Sequence, residues 1–167
     1  MAGARLGDAP MMALTLYQPW ATLIILQEKR IETRSWYTKY RGVLAIHAGS
    51  TSPVFDLRPF MPVLKRARLT ADDLPLGKII GFCDLVDVRP VQNIPRSMLT
   101  KQERAFGNYS PGRYGWILEN ARQIKPIPAR GMQRLWNWND RDFDFQNEFL
   151  STPFRDERGP LFNQRGQ

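Results

Sequence analysis

The run GKIIGFCDLVDVRPV, Gly77 to Val91, constrains this chain most. It is dense in β-branched and aromatic residues, which pack well on a pleated surface, and only Gly81 interrupts it. A strand this long with an internal glycine predicts a bend or bulge at Gly81. Other strand-like runs surround it. ALTLY, Ala13 to Tyr17, reads as a short strand, and RIETRSW, Arg30 to Trp36, carries apolar and polar residues in alternation. RGVLAIHAG, Arg41 to Gly49, is nearly all apolar between glycines, which predicts burial on both faces. NYSPGRYGWILEN reads as a turn and then a strand on which Tyr114, Trp116 and Leu118 share one face; IKPIP and RGMQRLWNW supply the last strands.

Helical signals are fewer. Gln18-Pro19 opens a helix over residues 19–28, with Pro19 in the first turn, where a missing N–H leaves nothing unpaired. Trp20, Leu23 and Ile24 form its buried stripe. LTKQERAFG predicts a second short helix, with Thr100 as cap, Glu103 closing a capping box and Gly107 as the stop. Residues 50–76 form a proline-rich excursion with a basic cluster at Lys65, Arg66 and Arg68. Residues 1–10 read as a tail and 139–167, polar and mixed in charge, as an appended C-terminal segment, which leaves one domain over 11–138. Many strands with two helices predict an α+β protein, a small, partly closed β-barrel with flanking helices.

Charge and composition narrow the function. Twenty-four Lys and Arg against 16 Asp and Glu give a formal charge of +8, which favours polyanionic partners, nucleic acid before anionic membrane. The one cysteine, Cys83, allows no internal disulfide, and with the one histidine, His47, it cannot complete a Cys/His zinc site. The most hydrophobic segment is interrupted by Gln18 and Pro19, short of the ~20 apolar residues a membrane span needs. It also lacks a signal-peptide cleavage site. No membrane, no metal and no cofactor are expected, in a reducing cytoplasm. LGK at Leu76 lacks the rest of a P-loop, and no Ser-His-Asp or Cys-His nucleophile set is present.

Chemistry concentrates in QEKRIETRSW, Gln27 to Trp36. Strand alternation places Glu32, Arg34 and Trp36 on the face opposite Ile31, with Lys29 and Trp20 arriving from the preceding helix. Spacing alone allows either the floor of a pocket or a solvated ion-pair cluster worth ~0–1 kcal/mol per pair. In the later half, Arg113, Arg122, Lys125, Arg130 and Arg134 are interleaved with Tyr109, Trp116, Trp136 and Trp138. Such interleaving suits a single-strand binder, whose aromatic faces stack bases in a basic groove. Trp116 reads as core; Trp136 and Trp138 are open to either reading. Cys83 reads as an inert buried thiol. Asp84 and Asp87 sit on opposite strand faces, so at most one can reach a cleft. Glu119 could supply a second carboxylate. A lone histidine such as His47 is usually a satisfied core residue.

LTLYQPWATLIILQEKRIETRSW followed by KYRGVLAIHA resembles the ASCH (activating signal cointegrator homology) domain, a relative of the PUA domain. That family has a strand, a Gln-Pro-Trp/Tyr helix start, the motif G-x-K-x-x-E-x-R and a strand ending in IHA. PLGKIIGFCDLVDV and SPGRYGWILEN…GMQRLWNW look like its later segments, so the resemblance runs from about Ala13 to Trp138. Lys29, Glu32 and Arg34 match the motif; Gln27 stands where the family has glycine. The resemblance implies a PUA-like barrel whose cleft is walled by those three charges. The candidate substrate-binding residues are Gln18, Trp20, Arg34, Trp36, His47 and Glu119. Arg113, Arg130, Arg134, Trp136 and Trp138 are the candidate nucleic-acid contacts. The first function expected is a module binding RNA or a modified nucleoside. The second is a hydrolase of an acylated cytidine (N4-acetylcytidine amidohydrolase-like) or of RNA. In it Glu32 would act as general base and Lys29 would stabilise an oxyanion, although the deacylating relatives carry a threonine where this chain has Glu32. The third is a regulatory module working through protein contacts.

Overall fold

A computed structural model describes residues 11–51 and 56–139, so the N-terminal tail and the C-terminal segment lie outside the described residues. Six strands and three short helices are present among them: β1 (Met11–Leu16), α1 (Trp20–Ile25), β2 (Ile31–Arg34), β3 (Gly42–Ala48), α2 (Met61–Arg66), β4 (Lys78–Pro90), α3 (Lys101–Phe106), β5 (Tyr114–Pro128) and β6 (Leu135–Trp138). One mixed sheet runs in the order β2-β5-β4-β3-β1-β6, with β1 parallel to β3 and every other pair antiparallel. The two end strands, β2 and β6, do not pair with each other, so the barrel is partly closed.

The long strand bends where its sequence demands it. The β4–β5 register shifts between Ile79 and Gly81, and again further along. A Cβ on Gly81 would collide with the Arg122 carbonyl oxygen and with Ile25 Cδ1. Glycine is therefore required for β4 to press against both β5 and α1. Ile24 and Ile25 enter the barrel core with Leu14, Ile46, Ile80 and Trp116. Leu23 instead joins Phe60, Leu64 and Phe106 beneath the other helices. A six-residue helix is too short to persist on its own, so α1 owes its stability to burial of Ala21 through Ile25.

Four local expectations are corrected. The first helix ends at Ile25 and not at residue 28. IKPIP continues β5 as one 15-residue strand. Only Leu135–Trp138 of RGMQRLWNW is strand, because the segment before it crosses between β5 and β6 as a strap. Finally, Thr100 caps α3 by accepting from the Glu103 N–H at 3.1 Å, but the Glu103 side chain does not complete the box. It turns to β2, where its carboxylate accepts from the backbone N–H groups of Arg30 and, at 3.2 Å, of Ile31. Two otherwise unpaired donors at a strand start are a stronger attraction for a buried carboxylate than one helix-end donor. Burial of Glu103 raises its pKa, opposed by those hydrogen bonds and by Lys29.

Candidate functional site

An open cleft of about 1090 Å³ lies where the barrel fails to close. The seam between β2 and β1 is bridged by Arg34, whose Nη2 donates to the Thr15 carbonyl at 3.0 Å. Arg34 Nε lies 3.3 Å from Glu32 Oε1, an ion pair whose angles fall short of a hydrogen bond. Alternation therefore does what the sequence predicts: Glu32 and Arg34 share one face and one cleft wall, with Trp36 beyond them. Trp36 stands edge-on to Trp116, with ring centroids 4.7 Å apart.

Lys29 is placed differently from the motif-based expectation. It is 1% exposed and does not line the cleft. Its Nζ donates to the Ile31 carbonyl and stands 3.7 Å from Glu32 Oε2, so it backs Glu32 from within the protein. The chain reaches this position through Gln27, which adopts φ 58°. Gln27 N–H donates to Ile24 O at 2.9 Å and Glu28 N–H to Leu23 O at 2.9 Å, the paired bonds of a Schellman stop. Gln27 thus takes the left-handed conformation itself at the position where the motif has glycine.

Of the other candidates, Trp20, His47, Arg113, Arg130 and Arg134 line the cleft. Arg113 is tied, donating to Asn108 O at 3.1 Å and Thr33 O at 3.0 Å. Arg134 lies over the Trp36 ring at 5.4 Å, a cation–π contact, and Arg130 is exposed with no described partner. The remaining candidates fall elsewhere. Gln18 is fully buried, donating to Pro75 O at 2.9 Å and accepting from the Thr22 N–H at 3.1 Å. Glu119 borders a separate small cavity beside Gln27 and Lys29. Trp136 and Trp138 are each 7% exposed and pack with Phe82 in the second core cluster. Asp84 and Asp87 do not line the cleft either.

His47 is 1% exposed, at the end of β3. Its Nε2 lies 2.9 Å from Ala129 O; a carbonyl only accepts, so Nε2 carries the proton and Nδ1 is an acceptor. Burial lowers its pKa, which favours the neutral ring. Among the described residues no group of His, Cys, Asp and Glu could hold a metal ion, and no helix is long and apolar enough to cross a membrane. Sequence reasoning named Arg130 and Arg134 but not Thr15, Tyr17, Ala129 or Gly131, which also border the cleft.

The fold and this seam cleft define a PUA-like α+β domain. The ASCH domain family model matches residues 14–128, and the chain belongs to that family. Activating signal cointegrator 1 of Homo sapiens and that of Mus musculus are each 28% identical to it over 134 residues, 77% of this chain. The chain spans only 22% of those relatives' length. The crystal structure of ASCH from Zymomonas mobilis superposes with a TM-score of 0.50 at 16% identity, covering 85% of this chain and 94% of that one. A point mutant of the same protein gives 0.50 at 16%, over 89% and 100%. These likenesses show the fold alone.

Proposed function

We propose that the seam cleft binds single-stranded RNA or a modified nucleoside carried within it. One observation supports this most: among the described residues, four arginines (Arg34, Arg113, Arg130 and Arg134) border one cleft whose lining holds a single carboxylate, Glu32. Trp36 and the exposed Tyr17 border it too and offer aromatic faces for bases. A hydrolase using Glu32 as general base is the second reading, since Glu32 is the one acid among the described residues at the cleft. It loses its oxyanion partner, because Lys29 is engaged behind Glu32.

Binding of a short labelled RNA, followed by fluorescence anisotropy across salt concentrations, tests the reading. Each phosphate contact on a single strand contributes roughly −0.7 to the log–log salt slope. Replacing Arg130 and Arg134 together by Ala is expected to flatten the slope by roughly 1 to 1.5 and to weaken binding at least about tenfold at low salt. An unchanged slope would sink the assignment of these arginines. Turnover of an N4-acylated cytidine would favour the hydrolase.

A further inference from the structure

We propose that His47 and Thr15 form a base-reading subsite beneath Gly131, in which His47 Nδ1 accepts from an N–H of the base and the Thr15 hydroxyl donates to the acceptor beside it. The inference rests on the reading of the cleft as a nucleic-acid site and names the chemistry that the site selects.

His47 Nδ1 and the Thr15 O–H are complementary, and neither has a described partner. His47 Nδ1 is buried without a hydrogen-bond partner, although Nε2 is bonded. Thr15 Oγ1 accepts from Trp136 Nε1 at 3.0 Å, and its own O–H has no described acceptor. A buried polar atom left bare is unfavourable, and such atoms in native proteins are commonly completed by a ligand or water. Both atoms converge on one point: a Cβ built on Gly131 would lie 2.6 Å from His47 Nδ1 and 2.8 Å from Thr15 Oγ1. All three residues border the cleft. An acceptor and a donor side by side match one amidine or amide edge, such as the N4 amine and N3 of cytosine or the N6 amine and N1 of adenine.

Gly131 covers the pair, and its strap is loosely tied. Ala129 N–H donates to Gly77 O at 3.0 Å at the strap's start, but no described backbone hydrogen bond holds residues 130–134 before β6 begins. Lifting Gly131 opens Nδ1 and Oγ1 to a base, while Arg130 and Arg134 on the same strap stay beside the phosphates. Burial of the imidazole keeps Nδ1 free of a proton, as an acceptor must be.

The test is a double-mutant cycle on ligand and protein. Hexacytidylate is compared with its N4,N4-dimethyl analogue, which keeps charge and stacking but loses the amine donor. His47→Gln keeps a donor toward Ala129 O but has no acceptor at the Nδ1 position. Dimethylation should weaken binding to the unmodified protein about tenfold, the worth of one hydrogen bond, and to His47→Gln by less than about twofold. An equal loss in both proteins, or none in the first, overturns the subsite while leaving the cleft reading intact. Failure of both oligomers to bind at low salt overturns the cleft reading and this one with it. A second measurement needs no variant. The chain has one histidine, so its ¹⁵N imidazole signals are unambiguous. The Nδ1 resonance should move upfield with hexacytidylate and stay in place with the dimethyl analogue. Equal shifts with both would overturn the proposal.

Discussion

At the α1–β2 corner, Arg34 is bonded to Thr15 and paired with Glu32, and Lys29 is sealed behind them. On the strap between β5 and β6, Arg130 has no described partner and Arg134 rests only on the face of Trp36. Both regions bring cations to one cleft, yet they are built in opposite ways. The corner's charges hold the seam together, and removing one leaves another stranded in the interior. The strap's charges meet no described carboxylate or carbonyl, which leaves them available to an anion. Residue type alone does not separate a structural arginine from a binding one; the number of partners already engaged does.

The largest expected effect tests the structural side of this contrast. Glu32→Ala removes the carboxylate paired with buried Lys29 and leaves it only the field of Glu103; breaking a buried pair typically costs about 3–5 kcal/mol. For a domain of this size the melting temperature should fall by roughly 10 °C. Lys29→Met combined with Glu32→Leu should recover most of that loss, because a buried ion pair replaced by packed apolar side chains is nearly neutral. The double replacement of Arg130 and Arg134 should leave the melting temperature within the range of ordinary surface changes, about 0.5 kcal/mol. If Glu32→Ala melts with the unmodified protein, the corner is no more structural than the strap.

A smaller effect comes from His47, which anchors the strap's first residue. In the unfolded chain its imidazole takes up a proton near pH 6.5. In the folded protein burial holds the pKa lower. Between the two values the unfolded state binds more protons, so stability is present above about pH 6.5 and lost as pH falls through the folded pKa. One proton limits the slope to about 1.4 kcal/mol per pH unit. Melting curves from pH 8 to pH 5 should show this loss, and His47→Gln should lack it while keeping the shared titration of the carboxylates. Parallel curves for the two proteins would show that His47 is not held neutral.

The fold was legible because periodicity and glycine placement are local signals. Gly81 marked the bend in β4, and alternation aligned Glu32 with Arg34. The chain order of strands and helices matches the family pattern and the α+β expectation. Geometry that depends on distant chain segments was not legible. Lys29 carries the same charge whether it faces the cleft or the interior, and only the path set by Gln27 decides which. Gln18 looked available until the Pro75 carbonyl and the Thr22 N–H claimed its amide. Glu103 followed the local capping-box pattern, whereas its partners, Arg30 and Ile31, lie at the start of β2, 73 and 72 residues away in sequence. The strap's path was not legible for the converse reason: RGMQRLWNW reads as strand from its sequence, yet only Leu135–Trp138 pairs, and the residues before it border the cleft.

The smallest effect sharpens the comparison at a point where the two regions share a backbone conformation. Gln27 at the corner has φ 58° and Arg134 on the strap has φ 59°, both in the left-handed region that favours glycine. Gln27 is held there by the Schellman bonds and by its own Nε2, which donates to Ala121 O at 3.2 Å. Gln27→Ala keeps the left-handed backbone but loses that bond, so it should melt below the unmodified protein. Gln27→Gly also loses the bond but relieves the backbone, and should exceed Gln27→Ala by about 1 kcal/mol, or roughly 2–4 °C. Arg134→Gly gains similar backbone relief where no described backbone bond holds residues 130–134, and its main consequence should be weaker RNA binding. Should Gln27→Ala and Gln27→Gly melt together, the helix exit carries no strain, and Lys29 is placed behind Glu32 by burial alone.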